Sequence, residues 1–365
     1  MGGRKSRLAW AKWLALPIGA ALLLLLLVPA VPATGPAPVP LERTLAYRML
    51  QRERAVREIP ASAEPLLRNV LSDSIAALGP DPSPPATAAE FRAFAEKVSI
   101  VLAAHNFIQP GSTRDWPDTL GEAFAPLPRS DPRVASSLKA DRPARLRHLK
   151  PGPIYFVDCD MGSMLIVSVA QMVGFDVAMV EVPGHNFIRW KSPSRETESW
   201  DWTYWEKPDE ARRASRLQRS LLARKVFLES QTLEESEAYF KSVLAGQIDD
   251  QPAKLALRRQ AASVFPNNRV VAYGVARTFA LSPAASPAER KEALGYSLLA
   301  LSMEDHGNAA GVADRMMAVA CAYAANREPD LAKAFVARAR TVADIDEDHA
   351  RNIAAVGSGK ACPPG

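Results

Sequence analysis

Residues 155–205 read YFVDCDMGSMLIVSVAQMVGFDVAMVEVPGHNFIRWKSPSRETESWDWTYW, and the way this stretch divides decides the fold. Pro153–Val157 is a short extended run. Met164–Val173 is apolar enough for a buried helix and ends at Gly174, a residue suited to the left-handed conformation of a helix C-cap. Asp176–Val182 alternates and is rich in valine, which predicts a strand. Pro183 and Gly184 turn the chain, His185–Trp190 resumes as a second strand, and Ser199–Trp205 predicts a third. A helix followed by three successive strands is an α+β arrangement with an antiparallel sheet.

Three reactive side chains lie in this stretch in a suggestive order: Cys159, His185 and Asp201. A thiol, an imidazole and a carboxylate are the nucleophile, the base and the orienter of an activated sulfur site. If Asp158 is the N-cap, Cys159 takes the first helical position, where free amides and the helix dipole favour thiolate and offer hydrogen bonds to an oxyanion. The flanking acids Asp158 and Asp160 oppose this, because negative neighbours raise a thiol pKa. A hairpin centred on Pro193 would set His185 directly opposite Asp201 on one face of the sheet. Alternation turns Trp200 and Trp202 the other way, which favours core packing for them over a substrate groove.

Working outward, Leu41–Val56 and Ala63–Leu78 have helical spacing, and the proline-rich run 79–85 marks a boundary. Thr87 and Glu90 have the form of a capping box opening a helix to about Ala104. Asn106–Asp141 is irregular, with a short helical turn at Thr119–Phe124. From Pro208 the pattern is helical, with helices expected at 209–228, 233–246, 252–264, 268–281, 287–305, 308–326 and 329–343. Two further capping boxes, Thr232 with Glu235 and Ser286 with Glu289, open two of these. Paired helices of this length resemble tetratricopeptide-like solenoids, although the repeat signature is not in register; an ordinary bundle is the alternative.

The N-terminus reads as an export or anchoring segment. Arg4, Lys5, Arg7 and Lys12 precede an apolar run from Trp13 to Val28, and residues 31–33 offer small side chains for cleavage. The run lies between a signal peptide and a full membrane span, so residues 1–33 are either a cleaved leader or a retained anchor. Either reading puts the body outside the cytoplasm, in the periplasm or tethered to the inner membrane. The formal charge of +5 owes four of its units to this leader, so the body is nearly neutral and nucleic acid is excluded as a partner class. The proline-rich run 34–40 predicts a stiff tether. With Cys159 reactive, Cys321 and Cys362 are the remaining possible disulfide pair; a buried Cys321 with a loose Cys362 is the alternative.

Cys159 in DCDMGS, His185 in VPGHNFIRW and Asp201 in WDW together resemble the transglutaminase-like superfamily of papain-type thiol enzymes, bacterial members in particular. The resemblance implies a Cys at a helix start, a His on a following strand and an Asp on the next, and with them acyl-transfer chemistry that needs no cofactor. It sets a transglutaminase-like domain over 87–206, after a tether with short helices over 34–86, then an all-helical domain over 207–357 and a disordered tail over 358–365. Gln109 is the nearest upstream amide of the type that serves an oxyanion hole. The implied substrate is a peptide or protein, with cell-envelope material a natural source. A protein partner on the helical region belongs to the rival, non-catalytic reading, in which the chain is a binding or assembly platform. A metal site using Cys159, His185 and one of Asp158, Asp160 or Asp201 is a further alternative, without any Cys-x-x-Cys or His-x-x-x-His spacing to support it.

Overall fold

The computed structural model describes residues 36–192, 196–280, 285–305 and 307–343. The leader, Pro193 and its turn, Cys362 and the tail lie outside the described residues. Among those described, no helix is long and apolar enough to cross a membrane.

The chain is mixed α+β and mostly helical. Helices α1 (Leu45–Arg54), α2 (Ala63–Leu78) and α3 (Ala88–Ala104) come first, then strand β1 (Phe107–Ile108). Three short helices follow: α4 (Leu120–Ala123), α5 (Pro132–Ala140) and α6 (Pro143–Leu146). Strand β2 (Tyr155–Phe156) leads into helix α7 (Cys159–Val173) and strands β3 (Val177–Val182), β4 (His185–Lys191) and β5 (Thr197–Trp200). The rest is helical: α8 (Glu210–Arg216), α9 (Arg219–Ala223), α10 (Leu233–Gly246), α11 (Gln251–Val264), α12 (Arg269–Ala280), α13 (Pro287–Ser302), α14 (Ala309–Ala325) and α15 (Pro329–Val342).

Local chemistry explains many of these boundaries. All three capping boxes form, with Thr87, Thr232 and Ser286 each accepting from the third helical amide and the paired Glu returning the bond. Gly174 closes α7 at φ 74°, ψ 32°, the left-handed geometry that favours glycine. The expected helix 209–228 is instead two short ones. Leu217 and Gln218 are extended between them, and the break turns Leu217, Leu221, Val226 and Phe227 into one buried cluster. Burial outweighs helical propensity there.

Helix α7 is buried nearly all round, as a central helix must be. One apolar cluster joins it to α1, α2, α3, β3 and β4, and to Tyr239, Phe240 and Leu244 of α10. The N-terminal segment is tied to α7 through polar bonds as well: Val39 N donates to Gln171 O (3.0 Å) and Ala46 N to Ser168 Oγ (2.9 Å). The three long strands form an antiparallel sheet in the order β3-β4-β5. A separate parallel pair, β1 with β2, leads the chain into the start of α7. In the helical region each helix packs on the next, from α10 through α15.

Two expectations about the sheet need correction. The β4–β5 ladder pairs Ile188 with Trp200 and Arg189 with Ser199, two residues out from the hairpin that would set His185 opposite Asp201. An even shift keeps every side chain on its own face, so the two still share a face and meet diagonally. The third strand also ends at Trp200 rather than Trp205. Asp201 Oδ1 accepts from Thr203 N (3.0 Å) and Tyr204 N (3.4 Å), and this local side-chain bonding replaces the ladder with a turn closed by an Asp201–Glu206 bridge.

Trp190, Trp200 and Trp202 are all buried, as core packing requires. Trp202 lies against Gly162 in the first turns of α7, where a Cβ would fall inside the van der Waals envelope of the indole. Gly162→Ala is therefore expected to lower stability by about 1–3 kcal/mol, the usual cost of overpacking, instead of the gain alanine normally brings to a helix. The urea-unfolding midpoint checks this; an equal or higher midpoint would show that the indole has room to move.

Candidate active site

Histidine and aspartate come together as the alternation argument requires. His185 Nε2 and Asp201 Oδ2 are 2.6 Å apart, with Asp201 fully buried and the His185 side chain 11 % exposed. An imidazole that donates from Nε2 to a carboxylate keeps Nδ1 as its acceptor, facing other partners. Asp201 is held on several sides. Its Oδ1 takes the two turn amides, and Arg213 Nη2 stands 3.6 Å from its Oδ2.

The turn that carries Asp201 is fixed by a residue that sequence reasoning did not find. Arg145 of α6 is completely buried and donates from Nη2 to the carbonyls of Trp202 (2.7 Å) and Thr203 (3.0 Å). It pairs with Asp141 at 2.6 Å and stacks on Trp202, its guanidinium carbon 4.4 Å from the ring centre. Burial pulls its pKa down, opposed by Asp141. Removing one partner of such a buried pair leaves an uncompensated charge, a strongly destabilising change. Nothing in the local sequence distinguishes Arg145 from its neighbours Arg142 and Arg147, both of which have more contact with solvent.

Cys159 occupies the first position of α7 with Asp158 as N-cap, accepting from Met161 N at 2.8 Å. The residue is 5 % exposed. Its hydrogen-bond partner is not the imidazole but Asp160 Oδ1, at 3.3 Å, and the backbone amide of Asn186 also points toward it. Burial pushes the thiol well above its usual range, and the charges of Asp160 and Asp158 push it further; the Asn186 amide acts the other way. Burial first, and then the two acids, thus favour thiol over thiolate at Cys159.

Cys159 and His185 both line a cleft of about 410 Å³. Its floor is the start of α7 and the β3–β4 turn, and one lip is the segment 113–118. The other wall comes from the helical region: Tyr239 and Val243 of α10 and Arg269 of α12. Tyr239 Oη donates to Asp160 Oδ2 at 2.6 Å, and Asn186 Nδ2 donates to Asp160 Oδ1 at 2.6 Å. Glu181 lines the cleft as well, accepting from Asn268 Nδ2 (2.5 Å) and lying 3.4 Å from Arg269 Nε. Arg269 and Arg315 both reach Glu304, so alternating charges run from β3 to α14.

The expected contributors fare differently. Gln109 is not among the residues that line this cleft. The metal alternative built on His185 finds no such grouping. Among the described residues, the ligand-type cluster is Asp158, Cys159 and Asp160, with donor atoms within 4.8 Å of one another and His185 outside it. Cys321 is disulfide-bonded, and Cys159 is the free cysteine among the described residues. Tyr239 and Arg269 carried no sequence signal. Glu181 shares the parity of Val177 and Met179, but Val180 and Val182 on the other face of β3 are buried too, so alternation alone does not mark it.

Burial pushes the Glu181 carboxyl up to about 7 from 4.5, against the pull of Arg269 and Asn268. A folded-state pKa above the unfolded one favours folding at low pH, and that advantage is lost as pH rises through about 7. Asp118 and Asp158 are raised by burial too and act in the same direction. Wild type is therefore expected to lose stability relative to Glu181→Gln between about pH 5 and pH 7.5, by at most about 3 kcal/mol. Denaturant midpoints of both proteins at the two pH values measure it; parallel curves would show that Glu181 stays ionised. Comparison with protein-family models and with curated proteins finds no match.

Proposed function

We propose that the chain is a transglutaminase-like thiol enzyme that works outside the cytoplasm, transferring or hydrolysing acyl groups of peptide or protein substrates. The single observation that carries the reading is the 2.6 Å His185–Asp201 bond in a cleft that Cys159 also lines. With Nε2 engaged by Asp201, Nδ1 of His185 is the atom to accept the Cys159 proton. The thiolate then attacks the substrate carbonyl, the imidazolium returns the proton to the departing amine, and an acyl-enzyme remains for water or a second amine. The disulfide at Cys321 supports an oxidising compartment, in keeping with an export leader.

One observation favours the second reading, a binding or assembly platform that does no chemistry. The resting sulfur bonds to Asp160 rather than to His185 and is held as a thiol. The two readings separate on covalent chemistry at Cys159. Wild type incubated with cell-envelope extract is expected to yield an acyl adduct on the Cys159 peptide by mass, absent from Cys159→Ala. Loss of the general base in His185→Ala is expected to cut adduct formation by about 10²–10⁴. If no adduct forms and Cys159 alkylates at the same rate in wild type and His185→Ala, the platform reading stands and the enzyme reading fails.

A further inference from the structure

Asp160 is the most heavily engaged acid in the cleft. Its Oδ1 faces the Cys159 thiol at 3.3 Å and takes the Asn186 side-chain amide at 2.6 Å, while its Oδ2 takes the Tyr239 phenol at 2.6 Å. Three donors thus converge on one carboxylate, and one of them is the nucleophile. Among the described residues, no cation is a hydrogen-bond or ion-pair partner of Asp160. Of the other charged groups that line the cleft, Asp158 adds negative charge, Arg269 is committed to Glu181 and Glu304, and Arg114 on the 113–118 lip is not among the bonding partners of Asp160.

A second observation says what the cleft lacks. Asn186 is 3 % exposed, lines the cleft beside Asp160, and its Oδ1 has no hydrogen-bond partner among the described residues. Its amide is oriented by donating to Asp160, which leaves a buried carbonyl oxygen unsatisfied. An unmet acceptor of this kind is costly unless something supplies a donor. A carboxylate without a counter-cation and an acceptor without a donor ask for the same chemistry: a positively charged group carrying N–H bonds, such as an ammonium or guanidinium.

We propose that Asp160 is a specificity-determining residue that retains the Cys159 proton in the resting site and releases it when a cationic, hydrogen-bond-donating group of the substrate occupies the cleft. The inference rests on the thiol-enzyme reading above and adds a substrate class to it. When the cation takes over the Asp160 carboxylate, the thiol loses its acceptor. The sulfur proton then passes to Nδ1 of His185, leaving a thiolate and an imidazolium with no net change of charge. Tyr239 holds the carboxylate in place, so the helical region sets the geometry of this control.

Charged thiol reagents test the assignment on the full-length protein. An aminoethyl and a sulfonatoethyl methanethiosulfonate each form a mixed disulfide with a thiol and expel methanesulfinate; they differ in the sign of charge carried to the sulfur, and the primary ammonium also carries N–H donors. Modification of the Cys159 peptide is followed by mass, with both rates normalised to a free small thiol. Wild type is expected to prefer the cationic reagent by about tenfold or more, a modest share of the interaction between unit charges in close contact. Asp160→Asn is expected to bring the preference below about threefold, and Asp160→Glu to restore it. A wild-type ratio near one overturns the proposal whatever the variants do, and so does a ratio that Asp160→Asn leaves unchanged. The ratio reports on Asp160, whereas the absolute rates in His185→Ala report on the base. A preserved ratio with unchanged His185→Ala rates would sink the enzyme reading and leave the charge control at Cys159 in place.

Discussion

A single buried guanidinium underlies the geometry of the cleft. Asp201 can orient His185 only if the turn after β5 stays closed, and two carbonyls of that turn are held by Arg145. The guanidinium is itself kept in place by Asp141 and by the indole of Trp202, which in turn rests on Gly162 of α7. The helix that presents the thiol and the turn that presents the carboxylate are thereby packed against one another through three side chains. Such an arrangement is stiff: each member is buried, each depends on the next, and none can relax toward solvent.

The electrostatics of the cleft run opposite to those usually associated with a helix-start cysteine. A helix N-terminus offers partial positive charge, worth a fraction of a kcal/mol to about 2 kcal/mol to a nearby anion. Burial of the sulfur and the two carboxylates that flank it act the other way. On the thiol-enzyme reading proposed above, occupancy of the cleft has to shift this balance toward thiolate, and a cleft of about 410 Å³ has room for a group that does so. On that reading, resting and working chemistry differ, and a thiol held protonated in the empty site is less open to oxidation.

What could be read from the sequence was local or periodic. The capping boxes at Thr87, Thr232 and Ser286, the N-cap at Asp158 and the glycine stop at Gly174 depend on residues within one turn of each other. The shared face of His185 and Asp201 followed from parity alone, and it held even though the register is two residues away from a hairpin centred on Pro193. Where a side chain competes with the ladder, as Asp201 does, strand length was overestimated. The long-range partners were not legible. Tyr239 stands next to Phe240 on an ordinary amphipathic helix, and Arg145 is one of several arginines in a polar stretch; only the tertiary fold selects them. Glu181 belongs with them, since both faces of β3 are buried and neither its register nor its partners Asn268 and Arg269 can be told from the strand's own pattern.

The wall supplied by α10 and α12 has a consequence for the order in which the site comes into being. A chain made from its N-terminus presents Cys159, His185 and Asp201 well before Tyr239 and Arg269 exist. During that interval Asp160 lacks its phenol, Glu181 lacks its counter-charge, and the cleft has one side open to solvent. The reactive centre is thus assembled before it is enclosed, and its final microenvironment is the last thing the growing polypeptide acquires: maturation is built into the linear order of the chain.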